Sequence, residues 1–371
     1  MNNKLWNITP TAIKTCLAYG YLSLRSPRQV AQNLNMAKYL ATADTNPARI
    51  NFAPPVFDVF ASSTCNLSCP TCLFRLKNSE VFITEDFVSV SILDIWLNRY
   101  RKVVDTVWLS GGEPLLHPEF HRLVTMLKSK GFRVMLSTNG ILVKQQIETL
   151  KLVDFISVSV DSHNYQSFKT AREGTQRQYD RILDGLSLMR NNGIRFTTSF
   201  VISEENLHEM YDMLGFATQF QPYSVYFHNL NPHGVEGHTP LTTESSAAYP
   251  LMRFITRKND YPFDISLPVI FNKDTDHFRT AKCSQPWSYC YFDASGDVAY
   301  CCHLRHDRAI GNIFTGYDFN SYRMTNFRKA MAEGHYPEDC TYCERRFAGD
   351  GYGYFNAKAH KWTIGSRMNH A

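Results

Sequence analysis

After Pro54 and Pro55 the sequence settles into a repeated order of short apolar segments and longer stretches with helical spacing. Six apolar segments have the length of a strand, and most are followed by a helical stretch. Parallel neighbours need a crossover of this length, so the pattern predicts a parallel sheet curled into an open or closed barrel, with its chemistry at the carboxyl ends of the strands. The predicted fold class is α/β, a partial (β/α)6 TIM-like barrel, with strands at 56–62, 103–110, 132–137, 154–161, 194–202 and 223–229 and helices at 118–130, 144–152, 179–191 and 205–220.

The length of 371 residues and the 44% of apolar residues predict two or three packed domains and exclude a disordered chain or a fibre. We expect an amino-terminal helical extension at 1–53, the barrel at 54–230, a connecting segment at 231–282 and a small metal-dependent domain at 283–371. The net charge of +5 is spread without a dense basic run, so no nucleic acid partner is expected. An amphipathic pattern in the extension is the only hint of membrane contact, and a lid on the barrel is the simpler interpretation.

Ten cysteines are distributed unevenly along the chain. No export signal is recognisable at the amino terminus, and no apolar stretch approaches the length that spans a bilayer. The sequence therefore predicts a cytoplasmic, reducing location, where clustered cysteines are more often metal ligands than disulfides.

Cys65, Cys69 and Cys72 directly follow the first predicted strand. Spacings of three and two intervening residues let one loop wrap around a metal cluster. Because a structural site normally closes with four ligands, three thiolates indicate a site that keeps one coordination position open. The alternative is half of a zinc knuckle that a distant residue completes.

A second motif, Gly111-Gly112-Glu113-Pro114, follows the next strand. The glycines allow close backbone approach to a ligand, and the Glu113 carboxylate can accept hydrogen bonds from an ammonium group. Together the two motifs resemble the signature of the radical S-adenosylmethionine (radical SAM) enzymes.

That resemblance implies that Cys65, Cys69 and Cys72 hold three irons of a [4Fe-4S] cluster, whose fourth iron binds S-adenosylmethionine. Reductive cleavage then gives methionine and a 5′-deoxyadenosyl radical that abstracts hydrogen from a substrate. Thr71 departs from the family, which usually has an aromatic residue there, beside the adenine. The remaining cofactor contacts that the resemblance implies are Gly111, Gly112, Glu113 and Pro114 for methionine, Ser159 and Asp161 for the ribose, and Arg172 for the methionine carboxylate.

Near the carboxyl terminus, Cys283 and Cys301 are followed by the pair Cys340 and Cys343. Four residues separate Gly296 from Cys301. This arrangement resembles the SPASM and shorter twitch domains of radical SAM enzymes. It implies one auxiliary [4Fe-4S] cluster held by these four thiolates. Four ligands would close the cluster for electron transfer, whereas an open cluster that binds substrate would need one of the four to be free. A zinc site built from the same residues is the alternative, because a Cys-x-x-Cys pair also suits zinc.

Cys16, Cys290 and Cys302 are left without a ligand role. Cys302, which is adjacent to Cys301, and Cys290 could replace one of the four predicted ligands or lie near the substrate. Since related epimerases use a thiol as hydrogen donor, both are candidate catalytic residues, and a buried structural role is the alternative. Asp161, His228 and Arg305 are candidates for a general base, with nothing to choose between them.

The resemblance favours oxidation, dehydrogenation or bond formation in a small molecule. A peptide maturase that cross-links or epimerises a ribosomal peptide is the main alternative, followed by modification of a lipid or glycan, and by a non-catalytic zinc-stabilised binding module. The enzyme reading implies an electron donor such as flavodoxin or ferredoxin.

Overall fold

The computed structural model describes residues 27–42, 45–72, 85–232, 235–258, 260–271, 283–302, 309–344, 354–356 and 361–363. The strands are β1 (Val56–Ser62), β2 (Thr106–Gly111), β3 (Arg133–Thr138), β4 (Phe155–Ser159), β5 (Phe196–Ile202), β6 (Ser224–Asn229), β7 (Asp264–Ser266), β8 (Tyr289–Phe292), β9 (Val298–Ala299), β10 (Tyr354–Asn356) and β11 (Lys361–Thr363). The α-helices are α1 (Pro27–Leu40), α2 (Val90–Leu97), α3 (Phe120–Ser129), α4 (Val143–Leu150), α5 (Tyr165–Arg172), α6 (Gln176–Asn191), α7 (Met210–Phe220), α8 (Ala248–Arg257), α9 (Gln285–Ser288) and α10 (Tyr322–Ala332).

One curved sheet organises the molecule. The six predicted strands, β1 to β6, lie side by side in sequence order and pair in parallel throughout. Helices of the crossovers cover the outer face of the sheet, as expected where parallel strands are joined through helices. The α/β class and the partial barrel are therefore confirmed.

Two strands that the sequence pattern did not predict extend the parallel sheet. β7 pairs with β6 at one side, and β8 pairs with β1 at the other, where Cys290 is in register with Phe57. β9 and β10 then add to the two sides in antiparallel fashion, so the sheet remains open. The cysteine-rich region, which the sequence presents as a separate domain, thus supplies strands to the barrel sheet itself.

The two faces of the sheet differ in character because successive side chains of a strand point in opposite directions. Phe200 of β5 and Phe227 of β6 are buried on the outer face, with their ring centroids 5.5 Å apart. On the inner face, Tyr226 remains 36% exposed. The inner face is therefore a partly solvated, concave surface, whereas the outer face forms the core with the helices.

Helix α1 packs on the barrel through buried amide side chains. Gln32 Nε2 donates to the Val104 carbonyl oxygen (3.0 Å), and Asn35 exchanges two hydrogen bonds with the backbone of Ala53 (2.8 and 2.9 Å). The amphipathic pattern before this helix lies outside the described residues. Among the helices that the structure describes, none combines the length and the apolar character needed to cross a bilayer.

Candidate active site at the carboxyl ends of the strands

The loop that carries the first three cysteines is docked on the second motif. The amide of Gly112 donates to the Ser62 carbonyl oxygen (2.7 Å), and the amide of Glu113 donates to the Thr64 carbonyl oxygen (2.8 Å). These bonds fix the residue that directly precedes Cys65 against the end of β2. The two motifs therefore form one unit at the carboxyl edge of the sheet.

This docking gives a reason for Gly111 and Gly112 that the sequence does not show. The sequence suggests that the two glycines allow a ligand to approach the backbone closely. A Cβ atom on Gly112 would lie 2.2 Å from the Thr64 carbonyl oxygen, and one on Gly111 would lie 2.4 Å from the Ser62 carbonyl oxygen. Gly111 also has a φ of +112°, a region that residues with a side chain rarely adopt. Both glycines are required because the backbone of the cysteine loop lies directly on them.

Glu113 is fully buried and is held by the protein itself. Its Oε1 accepts hydrogen bonds from the Leu115 amide (3.0 Å) and the Thr138 hydroxyl (2.8 Å), and its Oε2 accepts one from the Asn139 amide (2.7 Å). Burial raises the pKa of Glu113, an effect that these hydrogen bonds oppose. The carboxylate thus connects the end of β2 to the end of β3. Glu113 and Pro114 are both buried, whereas the sequence predicts that Glu113 contacts an ammonium group.

Arg172, at the end of α5, connects the cysteine loop to β4 and β5. Its Nη2 lies 2.7 Å from Asp161 Oδ2, and its Nη1 lies 3.5 Å from Cys69 Sγ. Asp161 in turn accepts a hydrogen bond from the Val201 amide (2.7 Å) while adopting a φ of 54°. Burial alone would lower the pKa of Arg172, but Asp161 and Cys69 raise it, so the guanidinium stays charged.

We expect Arg172→Lys and Arg172→Ala to separate the pairing of Arg172 with Asp161 from its part in S-adenosylmethionine binding. Alanine leaves the buried Asp161 carboxylate unpaired, which should lower the free energy of unfolding by about 3 kcal/mol. Lysine keeps the charge but loses the fork that reaches two partners, so it should destabilise less and weaken S-adenosylmethionine binding about tenfold. Urea unfolding of the apoprotein and calorimetric titration of the reconstituted protein measure the two effects. Equal stability of both variants would contradict the pairing with Asp161.

Cys65, Cys69 and Cys72 line one cavity of about 610 Å³, together with Gly111, Gly112 and Arg172. Polar side chains from the ends of successive strands complete its walls, namely Ser110, Ser137, Asn139 and Ser159. Burial raises the pKa of Cys65 to about 11 and also raises that of Cys69, so binding of a metal cluster would release protons from thiols. Three thiols on one wall of a polar cavity fit an iron-sulfur cluster with one iron left open to a ligand.

Asn139 is a cavity residue to which sequence reasoning assigned no contact with the cysteines. Its Nδ2 donates to Asn66 Oδ1 (2.7 Å) and lies 3.8 Å from Cys65 Sγ. Its only signal in the sequence is the polar run Ser137-Thr138-Asn139, which begins within β3. The structure therefore adds a hydrogen-bond donor beside a predicted cluster ligand, and such donors adjust the potential of iron-sulfur clusters.

A second cavity, of about 420 Å³, borders the first at the ends of β4 and β5. Thr71 and Asp161 lie on its wall with Val201 and Leu230. His238 lines it too, with Nδ1 3.7 Å from Glu205 Oε2. Of the predicted cofactor contacts, Ser159 thus faces the first cavity and Asp161 the second.

The carboxy-terminal cysteines also come together. Cys283, Cys340 and Cys343 are buried. Burial raises the pKa of the Cys283 thiol, and the nearby thiols of Cys343, Cys340 and Cys302 raise it further. Cys301 is partly exposed. The structure therefore places Cys302, a possible replacement ligand in the sequence, near the predicted ligand Cys283, and a set of thiols of this kind fits an iron-sulfur cluster.

Cys290 lies on the opposite side of the sheet from the cavities. It is 4% exposed and belongs to the apolar core between the sheet and the helices, in register with the outward-facing Phe57. Burial strongly raises the pKa of its thiol. The location is that of a structural cysteine rather than of a hydrogen donor to a substrate. Cys16 and Arg305 lie outside the described residues.

Comparison with known proteins places these features in context. Residues 59–217 match the radical SAM superfamily model, and residues 283–344 match the SPASM model, described as an iron-sulfur cluster-binding domain. The second match favours an iron-sulfur cluster over the zinc alternative.

Among curated proteins, the chain is 22% identical over 349 residues to the antilisterial bacteriocin subtilosin biosynthesis protein AlbA of Bacillus subtilis, covering 89% of this chain and 73% of AlbA. It is 27% identical over 192 residues to a probable GTP 3′,8-cyclase of Saccharolobus islandicus, covering 50% of this chain and 60% of the cyclase. Among solved structures, Streptococcus suis SuiB bound to the precursor peptide SuiA superimposes with a TM-score of 0.59 at 12% identity, covering 90% of this chain and 82% of SuiB.

Proposed function

We propose a function for this chain from the premise that it belongs to the radical SAM superfamily and carries a carboxy-terminal SPASM iron-sulfur cluster-binding domain. The proposed reaction is the oxidative modification of a peptide, in which a 5′-deoxyadenosyl radical removes hydrogen from a residue of the substrate. The product would carry a new bond, and S-adenosylmethionine would be consumed.

The likeness to AlbA carries this proposal. It extends over 89% of the chain and so reaches into both matched domains, whereas the likeness to the cyclase covers half of the chain. The barrel of SuiB, a structure that contains a precursor peptide, has the same fold. The inner face of the open sheet, where Tyr226 is partly exposed, is a surface that a peptide would contact.

Different residues of the first cavity would bind the cluster and S-adenosylmethionine. When bound there, the cluster would supply the electron that cleaves S-adenosylmethionine. Cys65, Cys69 and Cys72 would hold the cluster, and Arg172, already paired with Asp161, would present its remaining donors to the methionine carboxylate. The serine hydroxyl of Ser159 would contact the ribose, and the wall at Thr71 and Val201 would accommodate the adenine.

One experiment compares the proposed peptide substrate with the alternative that the sequence favours, dehydrogenation of a small molecule. Anaerobically reconstituted enzyme with S-adenosylmethionine and dithionite is incubated with synthetic deuterated peptides that tile the short reading frames beside its gene, and separately with a pool of deuterated small alcohols and amino sugars. We expect deuterium in 5′-deoxyadenosine, and a peptide product that has lost two hydrogen atoms.

Transfer of deuterium from the small-molecule pool alone would contradict the peptide assignment. If 5′-deoxyadenosine fails to form although both clusters are present, the radical mechanism itself is wrong. A flavodoxin and reductase system in place of dithionite tests the proposed class of electron donor in the same assay.

A further inference from the structure

The auxiliary domain contacts the inner face of the barrel at one place that has the chemistry of a proton acceptor. His228 Nδ1 lies 2.9 Å from Glu344 Oε2, and the other oxygen of Glu344 accepts a hydrogen bond from the Asn229 amide. His228 is the residue before the last one of β6, and Glu344 directly follows the predicted cluster ligand Cys343. Since 116 residues separate His228 from Glu344, the pair is a product of the tertiary structure.

The histidine faces the reaction side of the sheet. Tyr226 and His228 share a face of β6, with nearly parallel rings 6.1 Å apart, and are in register with Ser199 and Val201 of β5. Ser199 pairs in turn with Ser159, which lines the predicted S-adenosylmethionine cavity. Adjacent strands lie about 4.8 Å apart, so Tyr226 stands about 10 Å from Ser159 across the inner face. His228 is thus placed beyond the radical site, on the side of the auxiliary cysteines.

The hydrogen bonds orient the imidazole. An ionised carboxylate can only accept, so Glu344 selects the form of His228 in which Nδ1 carries the proton. No residue in the described part of the chain hydrogen-bonds to Nε2, and the side chain of His228 is 42% exposed. In that form Nε2 is the acceptor atom of a ring that is partly exposed.

The cysteine turn is anchored on both sides of Cys343. Tyr342 packs edge-on against Phe271, with ring centroids 5.5 Å apart, and Glu344 is bound at the end of β6. Asn229 is itself rigid, because its side chain hydrogen-bonds to the backbone of Leu241 (2.7 and 2.8 Å). The imidazole of His228 is therefore held at a fixed position relative to Cys343, the residue that is predicted to bind the auxiliary cluster.

We propose that His228 accepts the proton that the substrate loses, and that Glu344 is the positioning residue that holds His228 beside the auxiliary cluster. This inference rests on the oxidative function proposed above. After one hydrogen atom has passed from a substrate carbon to the 5′-deoxyadenosyl radical, a neighbouring O–H, N–H or S–H gives its proton to His228 Nε2. The substrate would also lose one electron, which an oxidised auxiliary [4Fe-4S] cluster held by the carboxy-terminal thiolates would accept, and a bond would form between the carbon and the atom that lost the proton.

The decisive variants are His228→Gln and Glu344→Gln, with the exposed His335→Gln as matched control. With the deuterated peptide that the wild-type enzyme modifies, His228→Gln should still move deuterium into 5′-deoxyadenosine at a rate within about threefold of wild type. Its product formation should fall at least about 100-fold, the usual contribution of a general base. Glu344→Gln should lose about tenfold in product, and His335→Gln should match wild type.

Measurements without substrate separate this role from a structural one. Iron content and melting temperature of His228→Gln should equal those of wild type. Removing the negative charge in Glu344→Gln should shift the midpoint potential of the auxiliary cluster to a more positive value, because reduction adds a negative charge beside that site.

Two results would overturn the inference: product formation by His228→Gln within about threefold of wild type, or loss of auxiliary iron in that variant. Failure of the proposed function is distinguishable, since wild-type enzyme would then transfer no deuterium from any peptide. The potential shift in Glu344→Gln is measured independently of substrate.

Discussion

Simultaneous replacement of Cys65, Cys69 and Cys72 by alanine is expected to abolish cleavage of S-adenosylmethionine. The three thiols line the same cavity as Arg172 and provide its only predicted cluster ligands. Two [4Fe-4S] clusters correspond to about eight irons per chain, and the triple variant should retain about four. Iron and sulfide analysis after anaerobic reconstitution, together with 5′-deoxyadenosine quantification, measures both effects.

Cys290→Ala is the matched control for this experiment. Cys290 lies in the apolar core on the far side of the sheet, so its removal should cost about 1 kcal/mol of unfolding free energy and leave iron content and cleavage unchanged. Retention of about eight irons by the triple variant would contradict the assignment of the first cluster. A large loss of cleavage in Cys290→Ala would instead restore a catalytic role for that residue.

Gly112→Ala should reduce cleavage at least about 100-fold although Gly112 is not itself a predicted metal ligand. Its Cβ would lie 2.2 Å from the Thr64 carbonyl oxygen, a backbone atom that cannot move without the adjoining Cys65. Restoring a normal contact displaces the loop by about 1 Å, and a misplacement of that size is enough for such a loss. We expect a lower melting temperature and incomplete loading of the first cluster as well.

Gly215→Ala is the control, because a Cβ at this position in α7 meets no atom within 4 Å. Alanine in a helix interior should stabilise the protein by about 0.5–1 kcal/mol and leave cleavage intact. Normal cluster loading and cleavage in Gly112→Ala would show that the cysteine loop does not depend on its docking against the end of β2.

Most of the barrel could be predicted from the sequence because its strands are long enough to show a pattern. β1 covers the predicted residues 56–62, and the other five predicted strands each overlap an observed one. β7 and β8 could not be predicted in this way, since three or four residues are too few for a period to appear. The pairing of β8 with β1 joins segments more than 200 residues apart, which local pattern cannot reveal.

The roles of individual site residues were harder to predict from the sequence. Sequence spacing brought out the glycine pair and Glu113, but the contacts that explain them are the carbonyl oxygen of Thr64 and the Thr138 and Asn139 donors. Each contact depends on which segment lies opposite when the strand ends meet. The proximity of Cys302 to Cys283 likewise depends on the folded chain.

The sequence by itself determined the class of fold, the kind of cofactor chemistry and the two groups of cysteines, because strand periodicity and ligand spacing are local properties of the chain. Only the tertiary structure decided that Cys290 faces the core, that Arg172 is paired with Asp161, and that His228 meets Glu344. These relations join residues from separate strands, helices and turns, and they exist only once the sheet has brought those elements to the same edge.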